Sequence, residues 1–219
     1  MKNLVKNHLV FDSYYKFELD DYENFNREAL QNIKYLTLFN NSISVWSGTK
    51  IGTFMSQRFN PNEPWLGILK SEVYKFLNNT LPKPFNDSRY YNFVSWVNIS
   101  TKDDNMNTHN HQRDHDPLQV NMEPLDENPS HTIMSGTYAI RLEDGHGDLL
   151  FWSSEELPSI QRIIMNQKTK IKVPYRTGEC VCFSPNLNHS TSDNTLDTNR
   201  ITISFNVMID PNILPEIEI

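Results

Sequence analysis

Residues 178–207, GECVCFSPNLNHSTSDNTLDTNRITISFNV, contain two segments of β type separated by a polar region. ECVCF and RITISFNV are rich in β-branched and aromatic side chains, which suit a pleated and partly buried surface. Gly178 is a tight-turn signal before the first segment, and Pro185 ends that segment. The stretch therefore predicts two strands, with His189 in the turn after the first and Arg200 opening the second.

Segments of the same kind recur upstream, each short and most of them close to Gly, Pro, Asn or Asp. Several short strands with turn signals and no long helix between them predict an antiparallel sandwich or barrel. We expect a mainly β fold of jelly-roll type, a double-stranded β-helix, over residues 89–210. The predicted upstream strands are RYYNFVSWVNIST (89–101), IMSGTYAIRL (133–142), GDLLFW (147–152) and TKIKVPY (169–175).

The first part of the chain, residues 1–88, predicts an N-terminal helical layer packed on this β core. Residues 22–39 carry apolar side chains at helical spacing, and residues 63–81 do the same after Pro64, which a first helical turn accepts. Residues 112–131 contain three prolines and predict an inserted loop. With 219 residues, the chain predicts a single domain over 1–219.

Composition narrows the classes of partner. Twenty basic and 27 acidic residues give a net charge of −7, which argues against nucleic-acid binding. No apolar run approaches the roughly 20 residues of a membrane span. The N-terminus also lacks the apolar region of a signal peptide. We therefore expect a cytoplasmic protein, in the host cytoplasm if the chain is viral, with Cys180 and Cys182 as reduced thiols.

Histidines are concentrated in NTHNHQRDHD, residues 107–116. In extended chain, His109 and His111 at i, i+2 lie on one face, close enough to share one metal ion. Neutral imidazole is the commonest side-chain ligand for transition metals. An isolated H-x-H pair is more typical of a solvated loop, so the prediction of a metal site depends on His189 and Arg200 about eighty to ninety residues later. His146, in EDGHGD, is expected to be a turn residue.

The order of these pieces resembles the iron(II)- and 2-oxoglutarate-dependent oxygenases. It is most similar to a branch common in phages and marine bacteria, in which the first ligand pair is H-x-H and a Ser-Gly-x-Tyr strand follows. The resemblance covers roughly residues 90–209. It rests on the segments WVNIST, THNH, MSGTYAI, GDLLFW, VPYRTGECVCFSPNLNHS and RITISFNV.

The resemblance implies a dioxygenase that uses Fe(II), 2-oxoglutarate and O2. It implies no catalytic side chain beyond the metal site. It would hydroxylate its substrate with release of succinate and CO2. The implied metal ligands are His109, His111 and His189. Arg200 would pair with the distal carboxylate of 2-oxoglutarate, because its planar fork meets a carboxylate with two hydrogen bonds. Further implied cosubstrate residues are Thr202 and Tyr138, with Asn98 and Ser135 as weaker candidates.

Two features depart from the wider superfamily. His111 stands where most members have Asp or Glu, which leaves the site more cationic and similar to cupin metal sites. The loop 112–131 separates the H-x-H pair from the Ser-Gly-x-Tyr strand, where a short link is expected. The ligand assigned to His111 therefore has alternatives, which are Asp114, His115, Asp116 and His131.

Two other functions stay open on the sequence. One is a cupin-like metalloprotein with another chemistry. The other is a non-catalytic jelly roll that serves as a binding or structural protein, since fold does not imply function. For the oxygenase we expect a small-molecule or peptidyl substrate; peptidyl-proline hydroxylation is common among the proteins it resembles. The sequence does not indicate the oligomeric state.

Overall fold

The computed structural model describes residues 2–8, 13–39, 51–52, 64–81, 86–111, 131–152 and 170–209. Strands and helices alternate in the first half, and strands follow from residue 91 onward. Single turns of 3-10 helix at Pro64–Leu66 and Ser88–Tyr90 precede α2 and β4. The elements are β1 Lys2–His8, β2 Ser13–Glu18, α1 Tyr22–Phe39, β3 Ile51–Gly52, α2 Gly67–Thr80, β4 Tyr91–Ser100, β5 Met106–His109, β6 His131–Arg141, β7 Leu149–Trp152, β8 Lys170–Val173, β9 Glu179–Phe183, β10 His189–Thr191 and β11 Arg200–Ile209.

The strands form two antiparallel sheets. The major sheet has the order β1-β2-β9-β6-β11-β4-β3, and the minor sheet has the order β5-β10-β7-β8. The central neighbours in the major sheet are distant in sequence, since β6 lies between β9 and β11. This arrangement confirms the predicted jelly-roll type of fold, with antiparallel sheets as its main component.

Each face of the major sheet packs against a different partner, because successive side chains of a strand point to opposite faces. The outer face packs against α1 and α2: Phe25 meets Tyr138 edge-on, and Phe76 lies against Tyr15. The inner face packs against the minor sheet through a second apolar cluster. That cluster comprises Tyr14, Leu149, Phe151, Val173, Val181, Phe183 and Leu187.

The helix over residues 22–39 is confirmed with the predicted bounds, and the second helix starts with a 3-10 turn before α2. All six predicted β segments contain strands. The structure adds β1 and β2 from the N-terminal part, and β2 joins the major sheet by pairing with β9. His189 lies in β10 rather than in a turn, because its backbone pairs with both β5 and β7. The predicted loop lies, up to residue 130, outside the described residues.

Two glycines are required by their surroundings. A Cβ at Gly136 would lie 2.3 Å from Cζ of Phe205, whose ring fills the outer face of the neighbouring strand. Gly178 has φ of +89° in the turn before β9, and a Cβ there would lie 2.5 Å from Cγ of Tyr22. A positive φ is costly for residues with a Cβ. The predicted turn at Gly178 is therefore confirmed.

The two cysteines are free thiols in the outer-face core, as expected. Their sulfurs are 3.9 Å apart, and burial raises the pKa of the Cys180 thiol. In the described part of the chain, no helix has the length and apolar character needed to cross a membrane.

Candidate metal centre

Three histidines converge at one end of the space between the two sheets. His109 on β5 and His189 on β10 are register partners, and their ring centroids are 4.2 Å apart. His111 follows β5, and its ring centroid lies 5.4 Å from that of His109 and 4.9 Å from that of His189. One ligand atom from each ring lies within 4.8 Å of the other two. The three imidazoles can therefore contact one ion.

His109 and His189 are oriented in the same way by their own strands. Nδ1 of His109 lies 2.9 Å from the carbonyl oxygen of Asn107, and Nδ1 of His189 lies 2.9 Å from that of Leu187. A carbonyl oxygen only accepts, so each Nδ1 carries the proton and donates it. Nε2 is then left as the unprotonated nitrogen. Both rings are thus in the tautomer that offers Nε2 to a metal.

His111 is oriented by side chains of the major sheet. Its Nδ1 lies 2.7 Å from Oδ1 of Asn206 and 2.8 Å from Oγ of Ser135. Ser135 in turn donates to the same Oδ1 at 2.8 Å. The backbone N–H of His111 donates to the carbonyl oxygen of Pro185 at 2.8 Å, which fixes the chain at this point. Nε2 of His111 is the nitrogen left for an ion.

The electrostatic setting favours the neutral form of His111 and His189. Burial lowers the pKa of His111 to about 4, with a further lowering by His109. Burial also lowers the pKa of His189, with smaller contributions from the other two histidines. Only neutral imidazole has a lone pair for a metal. In the described part of the chain no Asp or Glu joins the group, so the donors that these residues supply are three imidazole nitrogens.

Aromatic rings of the major sheet border the histidines. The Phe183 ring centroid is 4.8 Å from that of His189, and the Trp96 centroid is 5.8 Å from that of His111. Both side chains are buried. Such walls exclude water and strengthen electrostatic interactions inside a site.

Arg200, the first residue of β11, is a buried cation with 5% of its surface exposed. Its Nη2 donates to the hydroxyl of Tyr175 at 3.2 Å, and its buried Nε has no hydrogen-bond partner in the described residues. No carboxylate of the described ranges forms an ion pair with it. Buried charges are normally paired, so this guanidinium suits an anion that the described residues do not supply. Tyr175 was not identified from the sequence.

Thr202 and Asn98 lie opposite each other on β11 and β4. Thr202 is on the same face of β11 as Asn206, four residues further on. Thr202 is 2% exposed, and Asn98 donates to Oγ of Ser204 at 2.8 Å. Both residues therefore lie on the inner face of the major sheet, and their cosubstrate role stays a prediction.

Tyr138 is placed differently from expectation. Ser135 and Tyr138 are three residues apart in β6, so they lie on opposite faces of the sheet. The Tyr138 hydroxyl donates to Oδ1 of Asn26 on α1 at 2.6 Å, and its ring packs edge-on against Phe25. The structure does not bring Tyr138 to the histidines or to Arg200, and we leave it out of the proposed cosubstrate set.

Most of the alternative ligands are residues that the structure does not describe. Asp114, His115 and Asp116 are not among the described residues, and His131 is described only by its backbone, which pairs with Ile209. His146 lies in a turn, as predicted: its Nδ1 accepts from the backbone N–H of Glu143 at 3.0 Å, and its Nε2 lies 2.7 Å from Oγ1 of Thr198.

Comparison with solved structures identifies the fold. HygX from Streptomyces hygroscopicus, solved with nickel and 2-oxoglutarate bound, is 11% identical with a TM-score of 0.60, covering 93% of this chain and 84% of its own. The epimerase SnoN, in complex with Fe3+, alpha ketoglutarate and nogalamycin RO, is 14% identical with a TM-score of 0.59, covering 93% and 83%. A Pseudomonas putida prolyl-4-hydroxylase is 9% identical with a TM-score of 0.57, covering 91% and 94%.

The chain therefore has the double-stranded β-helix fold seen in iron- and 2-oxoglutarate-dependent oxygenases. Structures of this kind include both small-molecule enzymes and prolyl hydroxylases. No protein-family model matches the sequence, and a search of curated protein sequences gives no match. At these identities the likeness shows the fold alone, because one fold can carry different activities.

Proposed function

We propose that this protein is an iron(II)- and 2-oxoglutarate-dependent dioxygenase that hydroxylates a small-molecule or peptidyl substrate. The observation that carries the proposal is the convergence of His109, His111 and His189 with every Nδ1 engaged. In each ring Nε2 is the nitrogen that would bind one shared ion. Three ligands on one face of an octahedral metal leave three adjacent positions open, which is the pattern of non-heme iron oxygenases.

The residues fit the absent groups by their chemistry. Three imidazoles suit Fe(II), and they add no negative charge to it. A ligand set without charge favours a dianionic cosubstrate, because that cosubstrate neutralises the ion. When bound together, iron(II), 2-oxoglutarate and O2 supply the oxidising chemistry, with succinate and CO2 as co-products.

Arg200 and Tyr175 would hold the distal carboxylate of 2-oxoglutarate. The unpartnered Nε and the partly engaged Nη2 can donate to it, and the Tyr175 hydroxyl can donate as well. Thr202 and Asn98, on the same inner face, are proposed to line this part of the pocket. The role of these side chains is to orient the cosubstrate, while Trp96 and Phe183 keep water from the histidine side.

The substrate is proposed only by class. SnoN is a small-molecule enzyme crystallised with nogalamycin RO, whereas the prolyl hydroxylases of the same fold act on prolyl residues. Both classes are kept for this chain. The cytoplasmic location stays a prediction.

The proposal is tested by titrating anaerobic apoprotein with Fe(II) and then with 2-oxoglutarate, while the visible charge-transfer band of the chelate is recorded. We expect a band in the wild type, no band in His189→Ala, and a band at much higher 2-oxoglutarate concentration in Arg200→Ala. Arg176→Ala is the matched control, since Arg176 is exposed and pairs with Glu18 at the protein surface. Iron binding without any band would contradict the proposal.

A second candidate is a cupin-like metalloprotein of other chemistry. It is favoured by one observation: the third ligand among the described residues is a histidine, where most 2-oxoglutarate enzymes have a carboxylate. It predicts metal binding and activity that survive Arg200→Ala. Wild-type protein that binds no Fe(II) would leave the third alternative, a non-catalytic jelly roll.

A further inference from the structure

The hydrogen bonds behind the histidines come from two sources. The backbone carbonyls that hold His109 and His189 belong to residues two positions earlier in the chain, so they come with the local fold. His111 has its Nδ1 partners on the opposite sheet, on β6 and β11. Its orientation therefore depends on particular side chains that a mutation can remove.

Asn206 is the centre of this arrangement. Ser135 and Asn206 are register partners on β6 and β11, so their side chains emerge next to each other. The distances among His111 Nδ1, Asn206 Oδ1 and Ser135 Oγ are all 2.7 to 2.8 Å. The amide oxygen has two lone pairs. It can accept the ring N–H with one and the serine O–H with the other.

The group that faces Nδ1 of His111, here Oδ1 of Asn206, determines which ring nitrogen of His111 keeps its lone pair. With Oδ1 facing the ring, Nδ1 must carry the proton and Nε2 is free for an ion. If the amide were reversed, its NH2 would donate to Nδ1, and the proton would move to Nε2, where it would block coordination. In the productive orientation, Oδ1 also accepts a hydrogen bond from the hydroxyl of Ser135.

We infer that Asn206 is a positioning residue that fixes His111 as an Nε2 metal ligand, with Ser135 holding Asn206 in place. The inference rests on the proposed metal site and adds to it the residues that act through His111. Ligating histidines generally have such a partner, and its loss typically costs about 10- to 100-fold in metal affinity. An amide does this without charge, whereas the more usual carboxylate partner would add a negative charge.

The test uses the full-length apoprotein and Co(II) alone as the probe. Affinity is measured from the visible absorption of bound Co(II), and the tautomer of each histidine is read from long-range 1H–15N spectra of metal-free protein. The variants are Asn206→Leu, which removes the acceptor at similar volume, Asn206→Asp, which keeps it, and Ser135→Ala. Ser204→Ala is the matched control, because Ser204 lies on the same face of β11 but bonds to Asn98.

We expect Asn206→Leu to weaken Co(II) binding about 10- to 100-fold, and Ser135→Ala to weaken it less, by about two- to fivefold. Asn206→Asp and Ser204→Ala should stay within about threefold of the wild type. In the spectra, all three site histidines of the wild type should carry the proton on Nδ1. Only His111 should change in Asn206→Leu.

Equal Co(II) affinity for Asn206→Leu and Ser204→Ala would overturn the inference, and so would a wild-type His111 protonated on Nε2. The latter observation needs no variant, so it decides the matter even if Asn206→Leu does not fold. A wild type that binds Co(II) but gives no 2-oxoglutarate band would refute the proposed function and leave the role of Asn206 standing. A wild type that binds no Co(II) would refute both.

Discussion

His109 and His189 differ from His111 in where their support comes from. The first two belong to paired strands of the minor sheet and are oriented by their own backbone. The third follows the end of β5 and is oriented by side chains of the major sheet. A backbone carbonyl is present whatever the side chain is, so the first pair is robust to substitution around it. The third ligand depends on two identified residues.

The largest effect is expected from removing a ligand of the robust pair. His189→Ala should reduce metal affinity by more than about 100-fold, because a ligand and its buried, preorganised position are lost together. Isothermal titration with Co(II) measures it. Ser190→Ala is the control, since Ser190 is the next residue on β10 and accepts a hydrogen bond from Trp152. A His189→Ala variant with near wild-type affinity would mean that the ion binds elsewhere.

The second largest effect is expected on stability, from a substitution on the outer face of β6 and β11, the two strands that support His111. Gly136→Ala should lower the free energy of unfolding by about 1–3 kcal/mol, because its Cβ would overlap the Phe205 ring. Urea unfolding of the apoprotein measures it. The double variant Gly136→Ala/Phe205→Leu should recover part of the loss, since the smaller side chain makes room. Additive effects of the two substitutions would argue against this contact as the cause.

A smaller effect is expected from adding a negative charge at Asn206, next to His111. Asn206→Asp should weaken 2-oxoglutarate binding to the metal-loaded protein by about three- to tenfold, the effect of roughly 1 kcal/mol of repulsion between like charges. The measurement is a 2-oxoglutarate titration of anaerobic Fe(II) protein at two salt concentrations. The difference from the wild type should shrink at high salt. An unchanged affinity would show that the added charge does not reach the cosubstrate.

The smallest effect is expected at the far end of the cosubstrate. Tyr175→Phe should weaken 2-oxoglutarate binding about two- to fivefold and leave Co(II) affinity unchanged, since it removes one hydrogen bond, worth about 0.5–1 kcal/mol net while Arg200 keeps the carboxylate paired. Tyr74→Phe is the control, because the hydroxyl of Tyr74, on α2, donates to the carbonyl oxygen of Tyr91 at the start of β4. A loss of metal affinity in Tyr175→Phe would place Tyr175 closer to the histidines than proposed.

Much of the fold could be predicted from sequence, and the reason is local. Strands such as β4 and β11 carry long β-type runs, and α1 has a clear helical period. Short strands could not be found in this way. β10 has three residues, and it is a strand only because β5 and β7 lie on either side of it. Pairing partners distant in sequence decide such elements.

The site shows the same division. His109, His111 and His189 could be grouped from the order of motifs, and the structure brings them together. Asn206 carried no signal, because Asn is abundant in this chain and its role depends on a contact with a residue 95 positions away. Tyr138, by contrast, was predicted to bind the cosubstrate but lies on the other face of the major sheet. The period of two along a strand separates it from Ser135, and that rule alone would have placed it on the helical side.

The histidine cluster also has a mechanical consequence. An ion held by His109, His111 and His189 would be tied to the minor sheet by two strands and, through Asn206 and Ser135, to the major sheet. It would act as a cross-link between the two layers of the sandwich. Ligand binding adds RT ln(1 + [L]/Kd) to stability. Loading with metal would therefore raise the melting temperature, and the two layers would be held most firmly together at the end that carries the histidines.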